Sequence, residues 1–298
     1  MKFLILFLLT GLVACSSNKD KATDAPAKVT NESFKKEKPL SDREMRDFYS
    51  ANVKALSPAL QDETVDRYTP EEMSQVSDPA DPLLTMAVMC SKGEFDPAFG
   101  IASKSFNKYQ KVPGYWNQVA NCHLNMGNSR KALLFYNKAL EVSPDYVPTL
   151  NNIGVMYSRQ GQDQKALVAF ERANKNAKFS KTPRYNLAKL YLTYGLADEA
   201  LPIFKALLSD SPQDVDLQNS VASAHFLMSN YQEAAQNYVK IPAEQLYSAE
   251  VGLNFALTLN KLGKQPEAIK VFNAVKEPSA PELKRYYSIV KAQLGERK

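Results

Sequence analysis

Two histidines, His123 and His225, and three cysteines, Cys15, Cys90 and Cys122, are the residues with the widest chemical repertoire in this chain of 298. A histidine acts as a general base or a metal ligand only when a second group of the right type stands near it. Both histidines occupy the same slot of the register described below, where packing accounts for them, and the cysteines show no metal-type spacing. No glycine-rich phosphate loop follows a strand pattern. No serine sits in a nucleophile elbow, or in a Ser-x-x-Lys setting that the helical register described below leaves intact. Glu141, Glu171, Asp198, Glu199, Glu233 and Glu267 read as solvated helix-end charges. The chemistry left is recognition: Asn117, Asn121, Asn151 and Asn219 each carry an amide that donates and accepts, as the backbone of a bound peptide requires.

The elements that position these residues are legible in the spacing. Gly93, Gly127, Gly161, Gly195, Ser229 and Gly263 recur every 34 residues, and an alanine follows each after five: Ala98, Ala132, Ala166, Ala200, Ala234 and Ala268. Seven residues before each turn stands a mostly tiny residue, Met86, Ala120, Gly154, Ala188, Ala222 or Ala256. Nine residues after it comes a ring in five of six units: Tyr136, Phe170, Phe204, Tyr238 and Phe272, with Ala102 the exception. Small residues let two antiparallel helices approach, the ring fills the remaining gap, and glycine fits the positive φ just past a helix end. Each unit therefore reads as helix, tight turn, helix, and unbroken register means stacked, interchangeable units.

These residues resemble the tetratricopeptide repeat family. In the second unit Trp116, Val119, Ala120, Gly127, Ala132, Tyr136, Ala139 and Pro144 occupy its signature slots, and in the third Leu150, Ile153, Gly154, Tyr157, Gly161, Ala166, Phe170 and Ala173 do so. The resemblance implies an all-α fold, a right-handed α-solenoid of about six such units over residues 79–282. A capping helix over 283–298 follows, in which Tyr286, Ile289 and Val290 cover the last apolar face. Trp116 falls in a core slot. Both histidines take a slot held by Tyr157 and Tyr191 in neighbouring units, so all three read as packing residues.

The resemblance also implies a concave groove lined by the first helices. Its expected partner-binding residues are Asn117, Asn121, Asn151, Arg159, Tyr185, Lys189, Asn219, Phe226, Leu253 and Leu257, amide-rich at one end and apolar at the other. The family's carboxylate clamp is not reproduced; Asn121, Arg159 and Lys189 stand at mismatched slots.

At the amino terminus Lys2 precedes an apolar run from Phe3 to Ala14 that is too short for a spanning helix and reads as a secretory signal. Its end, Leu12-Val13-Ala14-Cys15, resembles the bacterial lipobox. That resemblance implies a cleaved signal peptide over 1–14 and a Cys15 that carries diacylglycerol and an amide-linked acyl chain such as palmitate, enough for stable anchoring. Ser16 and Ser17, in place of an inner-membrane retention aspartate, favour the periplasmic side of the outer membrane. Residues 15–40 are polar and read as a lipidated flexible tether, and residues 41–78 as short helices, beginning with the capping box Ser41-Asp42-Arg43-Glu44. In an oxidising compartment Cys90 and Cys122, on adjacent first helices, form either a disulfide or a pair of buried thiols.

With 37 basic and 32 acidic residues the chain lacks the footprint of a nucleic-acid binder. The expectation is a non-enzymatic adaptor without cofactor, metal or small-molecule substrate. It is attached to the membrane by its N-terminal lipid and binds an envelope protein or peptide segment in its groove. The type IV pilus pilotin lipoproteins are similar in architecture, which implies a role in secretin assembly for pilus biogenesis. A scaffold for peptidoglycan hydrolases, or a component of a gliding or secretion machine, is the alternative.

Overall fold

A computed structural model of the chain describes residues 81–177 and 180–295. Cys15, the signal and tether segments and the expected helices of 41–78 lie outside the described residues. All fourteen elements described are helices. They run as α1 (Pro82–Ser91), α2 (Phe95–Tyr109), α3 (Pro113–Asn125), α4 (Ser129–Val142), α5 (Val147–Arg159), α6 (Asp163–Asn176), α7 (Thr182–Thr193) and α8 (Ala197–Asp210). The series continues with α9 (Val215–Leu227), α10 (Tyr231–Tyr238), α11 (Ala243–Leu246), α12 (Ala249–Lys261), α13 (Gln265–Ala274) and α14 (Pro281–Gln293). Six hairpins result: α1/α2, α3/α4, α5/α6, α7/α8, α9/α10 and α12/α13. Each second helix packs on the first helix of the next unit, the first helices α1 and α3, α3 and α5, α5 and α7, and α9 and α12 meet directly, and α14 packs on α12.

The turn residues explain why each hairpin closes. Gly93, Gly127, Gly161, Gly195 and Gly263 all have φ between 70° and 79°, and Ser229 adopts 63°, the one non-glycine with positive φ among the described residues. Nine of the fourteen helices start on prolines whose missing N–H is no loss there (Pro82, Pro113, Pro148, Pro183, Pro266, Pro281) or behind side-chain caps (Asp81, Asn128, Asp214, Ser248).

The small-residue and ring positions fall where the spacing puts them. The six alanines that follow the turns are all fully buried, as are Tyr136, Phe170, Phe204 and Tyr238. A Cβ on Gly154 would lie 2.5 Å from the Phe170 ring, so that interface tolerates no methyl as it stands. In the first unit, where Ala102 replaces the ring, Tyr115 of the next first helix fills the space. Its hydroxyl donates to the Ala102 carbonyl at 2.9 Å.

Unit five departs from the expected hairpin. Its second helix, α10, spans only eight residues, and Pro242 then restarts the chain as the four-residue α11. Proline disfavours helical backbone at Ile241 and cannot donate to the preceding turn. The residues that would have completed α10 form α11 instead, so the 34-residue count survives.

Candidate functional site

The histidines and tryptophan pack as their slots require. His123 sits between Phe99 and Phe135, with ring centroids at 4.7 and 5.1 Å, and burial together with the Lys131 charge holds its pKa below the usual value. His225 is buried, and burial and Lys205 lower its pKa in the same way. Trp116 stacks on Phe135 and donates its indole N–H to the Gln110 carbonyl at 2.8 Å. No group of three metal-ligating side chains occurs among the described residues.

Cys90 and Cys122 are joined by a disulfide, with their Cα atoms 5.2 Å apart. The bond links α1 to α3, the first helices of units one and two, and encloses α2 in its covalent loop.

The asparagines expected to face a partner are turned elsewhere. Asn152 Nδ2 donates to Asn117 Oδ1 at 3.2 Å and to Asn121 Oδ1 at 3.0 Å. Asn121 Oδ1 also accepts from the Tyr136 hydroxyl, and Asn117 Oδ1 from Thr149. One unit further on, Asn186 Nδ2 donates to Asn151 Oδ1 at 2.8 Å. The recurring rung joins residue i of one first helix to residue i+35 of the next, because those two positions face each other across adjacent first helices. Asn117, Asn121 and Asn151 are therefore buried inter-repeat fasteners rather than an open amide surface. Sequence reasoning missed Asn152 and Asn186, whose signal is the i, i+35 pairing of polar residues.

The ladder does not continue. The next pair at this interval is Tyr185 with Ser220. Both hydroxyl oxygens are buried and lie outside hydrogen-bond geometry, while the Ser220 hydroxyl offsets part of the burial that raises the Tyr185 pKa. The pair after that is Asn219 with Asn254, but Asn254 Oδ1 accepts from Tyr286 of α14 at 2.7 Å, and Asn219 Oδ1 is left unpartnered.

Charged residues gather at this open stretch. Lys189, one helical turn after Tyr185 on α7, holds its ammonium 5.8 Å from the Tyr185 ring, is 4% exposed and makes no ion pair among the described residues. Burial lowers its pKa to about 8 against the opposing attraction of Asp216 and Glu250. Asp216 on α9 and Glu250 on α12 are themselves 34 residues apart, occupy equivalent positions and are half-buried. Burial raises the pKa of both; Asp214 adds to the rise at Asp216, Asp216 adds to it at Glu250, and Lys189 offsets part of each. Neither carboxylate forms an ion pair or a side-chain hydrogen bond among the described residues.

The remaining expected groove residues divide. Arg159 is exposed at the end of α5. Phe226, Leu253 and Leu257 are at most 1% exposed and belong to the core cluster shared by units four to six and α14, so they are packing residues rather than open anchors. The apolar side chains that stand in solvent are elsewhere, with Leu134 on α4 and Val168 on α6 among the most exposed at 57% and 65%.

Comparison with known proteins fits this geometry. Two tetratricopeptide repeat family profiles match, over residues 113–146 and 135–168. Residues 113–168 carry tetratricopeptide repeats. The Protein CTR9 homolog of Arabidopsis thaliana is 26% identical over 157 residues, which cover 50% of this chain and only 14% of that protein. Among solved structures, PilW, described as a widely conserved type IV pilus biogenesis factor, superposes with a TM-score of 0.57 at 18% identity, covering 67% of this chain and 94% of its own. YrrB, described as a TPR protein with an unusual peptide-binding site, superposes with a TM-score of 0.52 at 16% identity, covering 63% and 95%. At these identities the likeness is one of fold. Tetratricopeptide arrays serve as protein-interaction scaffolds.

Proposed function

We propose that this chain is a non-enzymatic adaptor that binds a protein segment on the first helices of units four to six while its N-terminal lipid, on Cys15, holds it at the periplasmic side of the outer membrane. The observation that carries the reading is the open stretch of the inter-repeat ladder. There the half-buried Asp216 and Glu250 form no ion pair among the described residues, Lys189 is buried against the Tyr185 ring, and Asn219 Oδ1 is buried without a hydrogen-bond partner. Desolvated polar groups that the fold leaves unpaired cost stability, and a bound segment that supplies their partners offsets that cost. The disulfide suits an oxidising envelope compartment. No helix among the described residues is long and apolar enough to cross a membrane, and attachment in this reading rests on the cysteine that ends the apolar leader. The fold shared with a type IV pilus biogenesis factor makes assembly of a pilus secretin the first pathway to test. Cell-wall hydrolase scaffolding and gliding or secretion machines are the alternatives.

The test combines fractionation with site-specific photocrosslinking. Cys15→Ser is expected to release the protein from membranes, and membrane retention by that variant would overturn the anchor. A photocrosslinker placed at Thr193 or Leu227, on first helices of units four and five, is expected to capture a defined envelope protein. One placed at Leu134 or Val168, on second helices, is expected not to. Capture only from the second helices would move the binding face and overturn the reading.

A further inference from the structure

Two positions on each first helix reach back toward the unit before it. The first is held by Gln118, Asn152, Asn186, Ser220 and Asn254 in units two to six, all polar and at most 2% exposed. Asn152 and Asn186 reach back 35 residues, to Asn117 and Asn151, and Asn152 also reaches back 31, to Asn121. The second lies four residues on, is buried in every one of these units, and in unit two is Cys122, bonded to Cys90 with a separation of 32. In α1 the two positions are Leu84 and Val88. Leu84 is apolar where all later units are polar and is 8% exposed; neither it nor the half-buried Val88 joins an apolar cluster of the described residues. Two apolar side chains aimed backward call for apolar neighbours behind them.

The chain carries a matching stripe at the matching distance. Counting back 35 and 31 residues from Leu84 reaches Tyr49 and Val53, and counting back 32 from Val88 reaches Leu56. Their spacing of four and three residues puts all three on one helical face. The helices α3, α5, α9 and α12 each span 13 residues and start at 113, 147, 215 and 249, so the same 34-residue step reaches back to a start at 45. Pro58 then stands just past residue 57, where it ends a helix. Ala59 and Thr64 hold the turn and alanine slots, so residues 45–78 lack the marks of a complete repeat and only a first helix is assigned. Residues 58–81 are chain enough for the return, since 126–146 make the same journey between α3 and α5.

We propose that residues 45–57, outside the described residues, form a helix that docks on α1 and closes the amino-terminal end of the array. Tyr49 and Val53 seat on Leu84, and Leu56 seats on Val88. Unlike the partner face of units four to six, this surface is filled from within the chain.

The experiment uses the full chain with Cys15→Ser and reads hydrogen exchange and engineered disulfides. Amides of 45–57 are expected to be protected; their free exchange overturns the proposal. Tyr49→Cys with Leu84→Cys is expected to give a bond within one chain on mild oxidation, located by peptide mapping, whereas Ser50→Cys with Leu84→Cys is expected to give none. Leu84→Asn, which installs the polar type of the later units, is expected to speed exchange in 45–57 by about tenfold or more while α5–α14 keep their protection, the control for global unfolding. Unchanged exchange of 45–57 in Leu84→Asn overturns the seat. Protection of 45–57 without a bond between positions 49 and 84 places the segment elsewhere and overturns it too. A bond between two chains gives the surface to a second copy, and a preferred bond from position 50 breaks the register; either result also overturns the proposal.

Discussion

Removing the Cys90–Cys122 disulfide tests how the first unit is held. The bond closes a loop of 32 residues in sequence around α2. In the chain-entropy model, closing a loop of this size restricts the unfolded chain by about 12 cal/mol/K, or about 3.7 kcal/mol at 25 °C. The loss falls on the unit least able to absorb it, since Ala102 replaces the ring there and Tyr115 of unit two supplies the filling. With a urea dependence of about 2.5 kcal/mol/M, the paired Cys90→Ser and Cys122→Ser variant should lose about 1.5 M in midpoint. Because each unit contacts only its neighbours, hydrogen exchange should accelerate most in α1 and α2 and least in α12 and α13. Urea unfolding and peptide-resolved exchange, both in a Cys15→Ser background, measure these effects. An unchanged midpoint together with unchanged α1–α2 exchange would refute the argument. So would two titratable thiols in the unfolded, unreduced protein.

Three further perturbations follow from the packing. Gly154→Ala drives a methyl into the Phe170 ring and should cost about 1–3 kcal/mol in urea unfolding, with Phe170→Leu in the same chain recovering part of the loss. Asn152→Ala removes the donor shared by Asn117 and Asn121 and should cost about 1–3 kcal/mol, because each buried amide oxygen loses one of its two donors. Lys189 has a folded-state pKa of about 8, below its unfolded value near 10.5, so the unfolded chain holds the proton more tightly between them. Stability should therefore climb by about 3 kcal/mol as pH rises from about 8 to about 10.5, and Lys189→Met should abolish the climb and raise the neutral-pH midpoint.

The parts of the fold that follow from a single position's own demands were legible in sequence. Positive φ calls for Gly127 or Gly161, and close helix approach calls for Ala132 or Gly154, whatever surrounds them. The compensation of Ala102 by Tyr115 was not legible, because it couples a vacancy in one unit to a hydroxyl in the next. Nor was α11, since Pro242 redistributes residues without changing the repeat length. The face proposed for a partner follows from sequence only in part: the spacing singles out Lys189, Tyr185 and Asn219, but it also sets Asn117, Asn121 and Asn151 against a partner, because slot position alone does not reveal which neighbour a side chain meets. That needs the rotation of one first helix against the next, which the 35-residue pairing encodes and a 34-residue repeat conceals.

Tyr286 gives the array a definite length. A stack of identical units has no intrinsic last member, and its terminal face would accept another unit, whether from the same chain or from a second molecule. Here α14 supplies Tyr286 to Asn254 at the depth where a further repeat would pack, while Asn260 and Gln265 donate to the Gln293 and Leu294 carbonyls. The helix behaves as a stopper. A chain ended before Pro281 would present that face bare, and its characteristic failure would be end-to-end growth into filaments rather than loss of fold in the units behind it.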